Sequence, residues 1–421
     1  MGMSEPISAT IGGQRETARP ALASAAEPAR SLYVHVPFCF HKCHYCDFYS
    51  FVDSQDRQEA FTRALVRELE TLAPFAGPLE TIFVGGGTPT LLRPALWRDV
   101  LATLDRSFDL SIIRAGRGEF TVECNPETAT AELFETLVAG GVDRVSVGAQ
   151  SFDPRHLRTL ERWHDPASVA RALGIAASAG IERRSVDLIF AIPGQTLGEW
   201  ERDLETALSL EPGVGHLSCY ALTYEPNTAM TKRLSRGEFD AADEDLEASM
   251  YERTHEILSE AGLERYEVSN WARPGAGGGA SRHNLAYWRG ESWLAAGPSA
   301  SGHARSGAGG WRWKNVPRLT DWMAGAGASG WSPVVDLEAP DARRALAERL
   351  MLGLRIAEGV DEANALADAG ALGRREALES AIERQRRAGL VLRRGGRVIV
   401  SESGWLHADA AASVLMASLE D

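Results

Sequence analysis

Apolar positions along the first two thirds of the chain alternate between two periods. Short β-rich runs occur at Leu32–Val36, Thr81–Val84, Glu119–Glu123, Arg144–Val147, Ser185–Phe190 and His216–Ala221. Each is followed by apolar residues at helical spacing, as at Phe61, Leu65, Leu69 and Leu72 in the segment 57–75. The helices that follow the later strands fall at about 94–108, 131–139, 166–179, 198–210 and 241–261. Six βα units in series predict a parallel sheet, wound as an open sheet or as a barrel. In a (β/α) barrel the chemistry sits just past the carboxyl ends of the strands. The unusual residues cluster there: Cys39 onward, Gly85-Gly86-Gly87, Glu123, Gln150, Asp187 and Ala221.

Outside that region the pattern differs. Residues 1–30 are rich in Ala, Ser, Pro and Thr, without the apolar stretch of a secretory signal, and read as a disordered tail. After about Arg265 the alternation breaks. Glycine-rich stretches at 274–279 and 306–310 read as flexible loops, with six of the eleven tryptophans around them. From about Pro340 the chain is helical, then ends in strand, turn and strand over 390–400, which predicts a small α+β, winged-helix-like domain. The expected division is a tail at 1–30, a core at 31–270, an aromatic-rich extension at 271–339 and a terminal domain at 340–421.

Charge and composition narrow the function classes. A formal net charge of -14 argues against a protein built to grip nucleic acid. No apolar run is long enough to span a bilayer. Five cysteines in 421 residues are too few and too uneven for a disulfide framework. A soluble cytoplasmic protein is the expectation.

Three of those cysteines, Cys39, Cys43 and Cys46, fall at C-x3-C-x2-C spacing just after the first strand. Thiols clustered this tightly point to a metal. Zinc is one reading, with His35, His41 or His44 as a fourth ligand. An iron–sulfur cubane is the other; three thiolates leave one iron without a protein ligand, which suits a catalyst rather than a passive carrier. The next glycines, Gly85 to Gly87, let backbone approach a ligand closely, and no Gly-Lys-Ser/Thr follows to make a phosphate loop. Asp187 lies in an apolar run and needs a partner, either an arginine or a bound ligand. Cys124 and Cys219 sit inside strand patterns and read as core.

The C-x3-C-x2-C loop after the first strand of a partial (β/α)6 barrel resembles the radical S-adenosylmethionine superfamily. That resemblance implies a [4Fe–4S] cluster on Cys39, Cys43 and Cys46, whose open iron chelates S-adenosylmethionine and whose electron cleaves it to a 5′-deoxyadenosyl radical. Within the superfamily the chain is similar to the coproporphyrinogen dehydrogenase/HemW branch over about residues 31–400. The stretches that carry this are Tyr33 to Cys39, Gly85 to Thr90, Val147 to Phe152, Asp187 to Thr196, Tyr220 to Thr223 and Tyr266 to Asn270. By resemblance, Tyr33, Tyr45, Gly86, Gly87, Thr88, Glu123, Gln150, Arg162, Asp187 and Ala221 would line the S-adenosylmethionine site.

Two features place the chain within that branch. The dehydrogenases carry a cysteine two residues after the third ligand, where this chain has Phe48, and a long ordered amino-terminal segment. The heme chaperones are marked by H-N-x-x-Y-W, here His283-Asn284-Leu285-Ala286-Tyr287-Trp288. The resemblance implies heme held by His283, Asn284, Tyr287 and Trp288, heme-accepting proteins as partners, a reductase or flavodoxin-type electron donor, and weak membrane association through acceptors. His303 falls where the family pattern departs, and no role is assigned to it. The alternatives kept are an oxygen-independent coproporphyrinogen III dehydrogenase, a radical methyltransferase, and a zinc-binding structural protein.

Overall fold

The computed structural model describes residues 16–275, 279–307 and 309–420. Six strands run parallel in sequence order: β1 (Ala29–Val36), β2 (Ala76–Gly86), β3 (Glu119–Cys124), β4 (Arg144–Gln150), β5 (Arg183–Phe190) and β6 (His216–Ala221). The helices between them are Gln58–Leu72, Pro94–Ser107, Ala131–Ala139, Ala167–Ser178 and Leu197–Leu208, with Glu244–Glu260 after β6. This is the expected α/β architecture. Local chemistry sets several boundaries. Thr196 and Glu199 form a reciprocal capping box that starts Leu197–Leu208. Gly330, at φ 76°, ends the helix Leu319–Ser329.

Period-two alternation divides each strand between two environments. Phe120, Val122, Val145, Val147, Val186, Leu188 and Leu217 are buried against the helices. Their neighbours, among them Tyr33, Phe83, Glu123, Arg144, Ser146, Asp187, His216 and Tyr220, all line one cavity of about 640 Å³. Side chains from six parallel strands meet around one cavity because the sheet curls. The inner face is polar and aromatic and the outer face is aliphatic.

The sheet is longer than six strands. The extension supplies β7 (Glu264–Glu267), β8 (Asn270–Ala272), β9 (Trp293–Ala296), β10 (Ser301–Ser306), β11 (Gly309–Asn315) and β12 (Val334–Glu338). Strands β9 to β12 continue the sheet outward from β1, and β8 and β7 continue it from β6, giving twelve strands. Residues 271–339 are therefore part of the core sheet rather than an appendage. The segment 342–417 forms helices around a separate three-stranded antiparallel sheet.

Two expectations need correction. The tail reading fails for residues 16–28, while residues 1–15 lie outside the described residues. A short helix at Arg19–Ala23 buries Ala21 and Leu22, and the Glu16 and Arg305 carbonyls accept bonds from Val334 N and Ala26 N. Small side chains lose little rotamer entropy on burial, so an alanine-rich segment can pack along edge strands whose backbone groups need partners. The second correction concerns 306–310, where Gly309 and Gly310 belong to β11. A Cβ at Gly310 would lie 2.1 Å from His303 Nε2, and His303 Nδ1 faces the Glu291 carbonyl at 2.8 Å. His303 is thus packed in the sheet. Residues 276–278 and 308 of the two glycine-rich stretches lie outside the described residues.

One buried carboxylate joins the first helix to the extension. Glu68 accepts from Gly297 N at 2.7 Å, Asn315 Nδ2 at 3.1 Å and Trp322 Nε1 at 3.1 Å, and burial pushes its carboxyl up to about 8. Glu68→Ala strands three buried donors and is expected to cost about 3 kcal/mol, whereas Glu68→Gln, which keeps an acceptor, costs about half of that. Chemical denaturation of the two variants beside the wild type measures the difference.

Candidate functional site

Three groups of residues meet at the carboxyl ends of β1 to β6. The first is the cysteine loop, which leaves β1 through Pro37 and Phe38. Phe38 and Cys39 pair with Phe51 and Val52, closing the loop on itself. Further in, Met230 N donates to His44 O at 2.8 Å, and Tyr45 packs on Leu160, Ile189, Leu222 and Met230. Each thiol has a polar neighbour: Thr88 Oγ1 lies 3.6 Å from Cys39 Sγ, Arg162 Nη1 3.7 Å from Cys43 Sγ, and Lys42 Nζ 3.9 Å from Cys46 Sγ. Burial pushes the Cys46 thiol up. Lys42 also donates to Phe48 O and to Ser50 Oγ at 2.9 Å, so it ties the loop's two ends.

The second group is the glycine run. Gly87 N and Thr88 N donate to Val36 O and Phe38 O at 2.8 and 2.7 Å, which pins the run to the root of the cysteine loop. A Cβ at Gly86 (φ +109°) would lie 2.4 Å from His35 Cε1, and one at Gly87 would lie 2.7 Å from Phe38 O. No other residue type fits that approach. The close approach at Gly86 and Gly87 is to the protein's own β1 and loop as well as to the space beside them.

The third group lines the lumen. Glu123 accepts from Gly86 N at 3.0 Å; burial and nearby Asp187 push its carboxyl up to about 7. Asp187 is likewise raised by burial, and its partner is Ser146 Oγ at 2.9 Å. Of the two readings for that acid, pairing with Arg162 is not what the structure has: Arg162 Nη2 donates to Gly148 O at 2.8 Å. Gln150 ends β4 at φ 66°, a strained setting for a residue with a Cβ and one that turns the chain at the rim. Tyr33 OH donates to His35 Nδ1 at 3.0 Å while His35 Nε2 donates to Tyr49 O at 2.7 Å. Burial lowers this imidazole to about 4, so it stays neutral. Ala221, at the end of β6, abuts Leu222, whose N–H is bound by Phe190 O. Of these, Lys42 and Ser146 lie outside the stretches that carry the resemblance, and only the position of Lys42 between two cysteines is a sequence signal.

The cysteine geometry discriminates between metals. A single tetrahedral zinc with sulfur bonds of about 2.3 Å needs its thiolates within about 4.6 Å of one another. Among the described residues, the only three His, Cys, Asp or Glu side chains whose ligand atoms all lie within 4.8 Å of one another are Asp153, His156 and Glu199. The donor set, three thiols on one loop with a cationic side chain beside Cys43 and another beside Cys46, fits a cluster with one open iron.

The H-N-x-x-Y-W residues lie elsewhere. They form a helix, Arg282–Trp288, at the amino ends of the strands, opposite the cysteines. Glu119, the first residue of β3, anchors it by accepting from Ser281 Oγ and Arg282 N at 3.2 Å and His283 N at 3.4 Å, beside an ion pair with Arg144 at 3.2 Å. These partners hold the Glu119 carboxyl below its usual value despite burial. His283 is 1% exposed, with Nδ1 2.8 Å from Thr81 Oγ1 and rings of Phe83 and Tyr287 at 5.3 and 4.7 Å. Asn284 and Tyr287 line the lumen, whereas Trp288 faces the terminal domain, near Arg355 and Leu352. The four residues do not form one platform, because consecutive residues 287 and 288 point to different sides of a helix.

Comparison with known proteins agrees with this architecture. The model of the Radical SAM superfamily matches residues 33–207. The heme chaperone HemW of Mycobacterium tuberculosis (strain CDC 1551 / Oshkosh) is 37% identical over 405 residues, 94% of this chain and 97% of that protein. HemW of Bacillus subtilis (strain 168) is 35% identical over 339 residues, 79% and 85% of the two chains. The structure of coproporphyrinogen III oxidase (HemN) from Escherichia coli, a radical SAM enzyme, superposes with a TM-score of 0.78 over 94% of this chain and 92% of that one. At 20% identity that likeness speaks for the fold alone. With cysteine loop, glycine run and curled six-stranded sheet in place, this chain belongs to the HemW family within the radical SAM superfamily.

Proposed function

We propose that this protein is a heme chaperone, which binds heme and passes it to acceptor proteins in the cytoplasm. The observation that carries the reading is 37% identity to a HemW over nearly the whole of both chains. Phe48, in place of a further cysteine, and the H-N-x-x-Y-W helix support it within the branch. No described helix is long and apolar enough to cross a membrane, so any membrane association would run through acceptors.

In this reading Cys39, Cys43 and Cys46 hold a [4Fe–4S] cluster. S-adenosylmethionine lies across Tyr33, Tyr45, Gly86, Gly87, Thr88, Glu123, Gln150, Arg162, Asp187 and Ala221. The cluster, when bound, supplies an open iron and an electron from a reductase or flavodoxin-type donor. The chain's own residues set the surroundings. Arg162 and Lys42 place positive charge beside Cys43 and Cys46. Gly86 N orients Glu123, and Ser146 orients Asp187, toward the lumen.

Anaerobically purified protein is expected to contain iron and sulfide in equal amounts and to take up heme. Cys43→Ser loses the iron and sulfide, which elemental analysis reads directly. Zinc in place of iron, or no heme uptake together with decarboxylation of coproporphyrinogen III, rejects the chaperone.

Glu123 makes S-adenosylmethionine binding depend on pH. Its raised carboxyl holds a proton below about 7 and is a carboxylate above. A cationic ligand favours the carboxylate, so binding releases a proton and the apparent Kd falls as pH rises, by up to about tenfold between about pH 6 and 8. Calorimetric titration checks this, and Glu123→Gln is expected to bind with no such slope.

A further inference from the structure

The lumen has two unlike walls. One carries the acids Glu123 and Asp187, on β3 and β5. The other comes from the extension, which brings Trp293, Ser299, Ser301 and Lys314 to the same cavity of about 640 Å³. That volume falls within the range of small-molecule sites. No residue of this second wall is assigned to the cluster or to S-adenosylmethionine. It has a flat apolar face, since Trp293 packs on Tyr287 with ring centroids 4.3 Å apart.

Lys314 is the exceptional residue of that wall. Of the 44 basic residues in the chain only three are lysines, at positions 42, 232 and 314. An ammonium is a compact point charge, which the planar fork of arginine does not replace. Lys314 is half-buried on β11 and lines the lumen, and among the described residues its Nζ has no hydrogen bond and no ion pair. Its strand neighbour Arg312 is paired with Glu338 and Glu348 at 2.6 and 2.7 Å. The nearby His35 imidazole feels the Lys314 charge, stays neutral and offers it no counter-charge. Two further groups in the cavity await a partner. Ser299 holds φ 64°, a strained setting for a residue with a Cβ, and presents a hydroxyl at the wall. At the floor, Arg144 is 3% exposed and its Nη2 has no hydrogen-bond partner, although a buried N–H normally finds one. The two acids do not fill this need, since burial favours their protonated forms and they are turned to Gly86 N and Ser146. The group that the lumen lacks is an anion.

We propose that the lumen binds a second small molecule beside S-adenosylmethionine: an organic carboxylate whose charged group meets Lys314 and whose body lies along Trp293. This goes beyond the chaperone reading and rests only on the placement of S-adenosylmethionine against Glu123 and Asp187. The two walls then sort two ligands by charge. The sulfonium cation faces the acids, and the carboxylate faces the ammonium, where a charge-assisted hydrogen bond is stronger than a neutral one. The Ser299 and Ser301 hydroxyls, from the same wall, can donate to its remaining lone pairs.

The test uses the full chain with its cluster reconstituted anaerobically and S-adenosylmethionine present at saturation. Benzoate, benzamide and phenyl phosphate share one ring and differ in the group it carries, and saturation-transfer NMR titrations give the Kd of each. Benzoate is expected to bind about tenfold or more tightly than benzamide, and more tightly than phenyl phosphate. Lys314→Met is expected to weaken benzoate by about tenfold, to leave benzamide within about twofold, and to keep the wild-type affinity for S-adenosylmethionine. Equal binding of benzoate and benzamide by the wild type overturns the proposal, and so does benzoate binding that Lys314→Met leaves untouched. Tighter binding of phenyl phosphate overturns the carboxylate in favour of a phosphate. Loss of S-adenosylmethionine affinity in Lys314→Met overturns the second site, because the lysine then serves the first. A wild-type chain that binds no S-adenosylmethionine overturns the placement on which the proposal rests, while heme uptake, measured separately, remains the test of the chaperone reading.

Discussion

The barrel depends on one fully buried carboxylate at its floor. Glu119 begins β3 and faces inward, where an unpaired charge is costly. Its cost is met by a set of donors from distant parts of the chain: Arg144 of β4, the Ser281 hydroxyl, and the first free N–H groups of Arg282–Trp288. A helix start has unpaired N–H groups that need an acceptor, and a carboxylate is the strongest one a side chain can offer. One interaction therefore neutralises Arg144, caps the helix and fixes where residues 281–288 cross beneath the strands. His216 extends the same floor, bonded to Ser185 Oγ at 2.7 Å and Tyr266 OH at 2.9 Å. With the floor set by Glu119, the groups at the top can be arranged for binding rather than for closure.

At the top, precision comes from backbone rather than from side-chain packing. Gly85, Gly86 and Gly87 each fill a space in which a Cβ would collide, with Glu123, His35 and Phe38 O respectively. The glycine run, the acid and the root of the cysteine loop are thus held at backbone contact distance, and a shift in one moves the others. The lumen also holds two acids whose protonation is favoured by burial, Glu123 and Asp187. Two buried carboxylates in one lumen repel, and a cationic ligand between the strand ends relieves that repulsion. Two acids perturbed in this way mark a binding site rather than a core.

The alternating period of 2 and 3.6 made the six βα units legible, because each strand has one aliphatic face and each helix one apolar stripe. The cysteine spacing made the metal legible, because chelation by a short loop leaves few arrangements of three thiols. Other features were hidden for physical reasons. Residues 16–28 lack the large apolar side chains that mark burial, and what orders them is backbone pairing to Val334 and Arg305. The strands after β6 are mostly short and, apart from β9 beside β1, antiparallel, so the regular alternation of strand and helix that advertises the first six is missing. Asp187 invited an arginine partner and found a serine, since a neighbouring strand on the same inward face supplies Ser146. Cys124 and Cys219 were legible as core because strand interiors bury small apolar side chains readily, and both are buried here.

The H-N-x-x-Y-W helix shows how the residues of a signature are held in place by the fold. Histidine beside aromatic rings suggested heme, yet in this fold each feature of the motif has a structural duty. Ser281 caps the helix, His283 bonds Thr81 and stacks on Phe83, Tyr287 closes the lumen wall, and Trp288 faces the terminal domain. The His283 imidazole is 1% exposed, and its Nε2, unlike its Nδ1, has no hydrogen-bond partner. Glu119, the capped helix start and the stacked imidazole together hold the floor of the barrel shut, at the end opposite the cysteine loop.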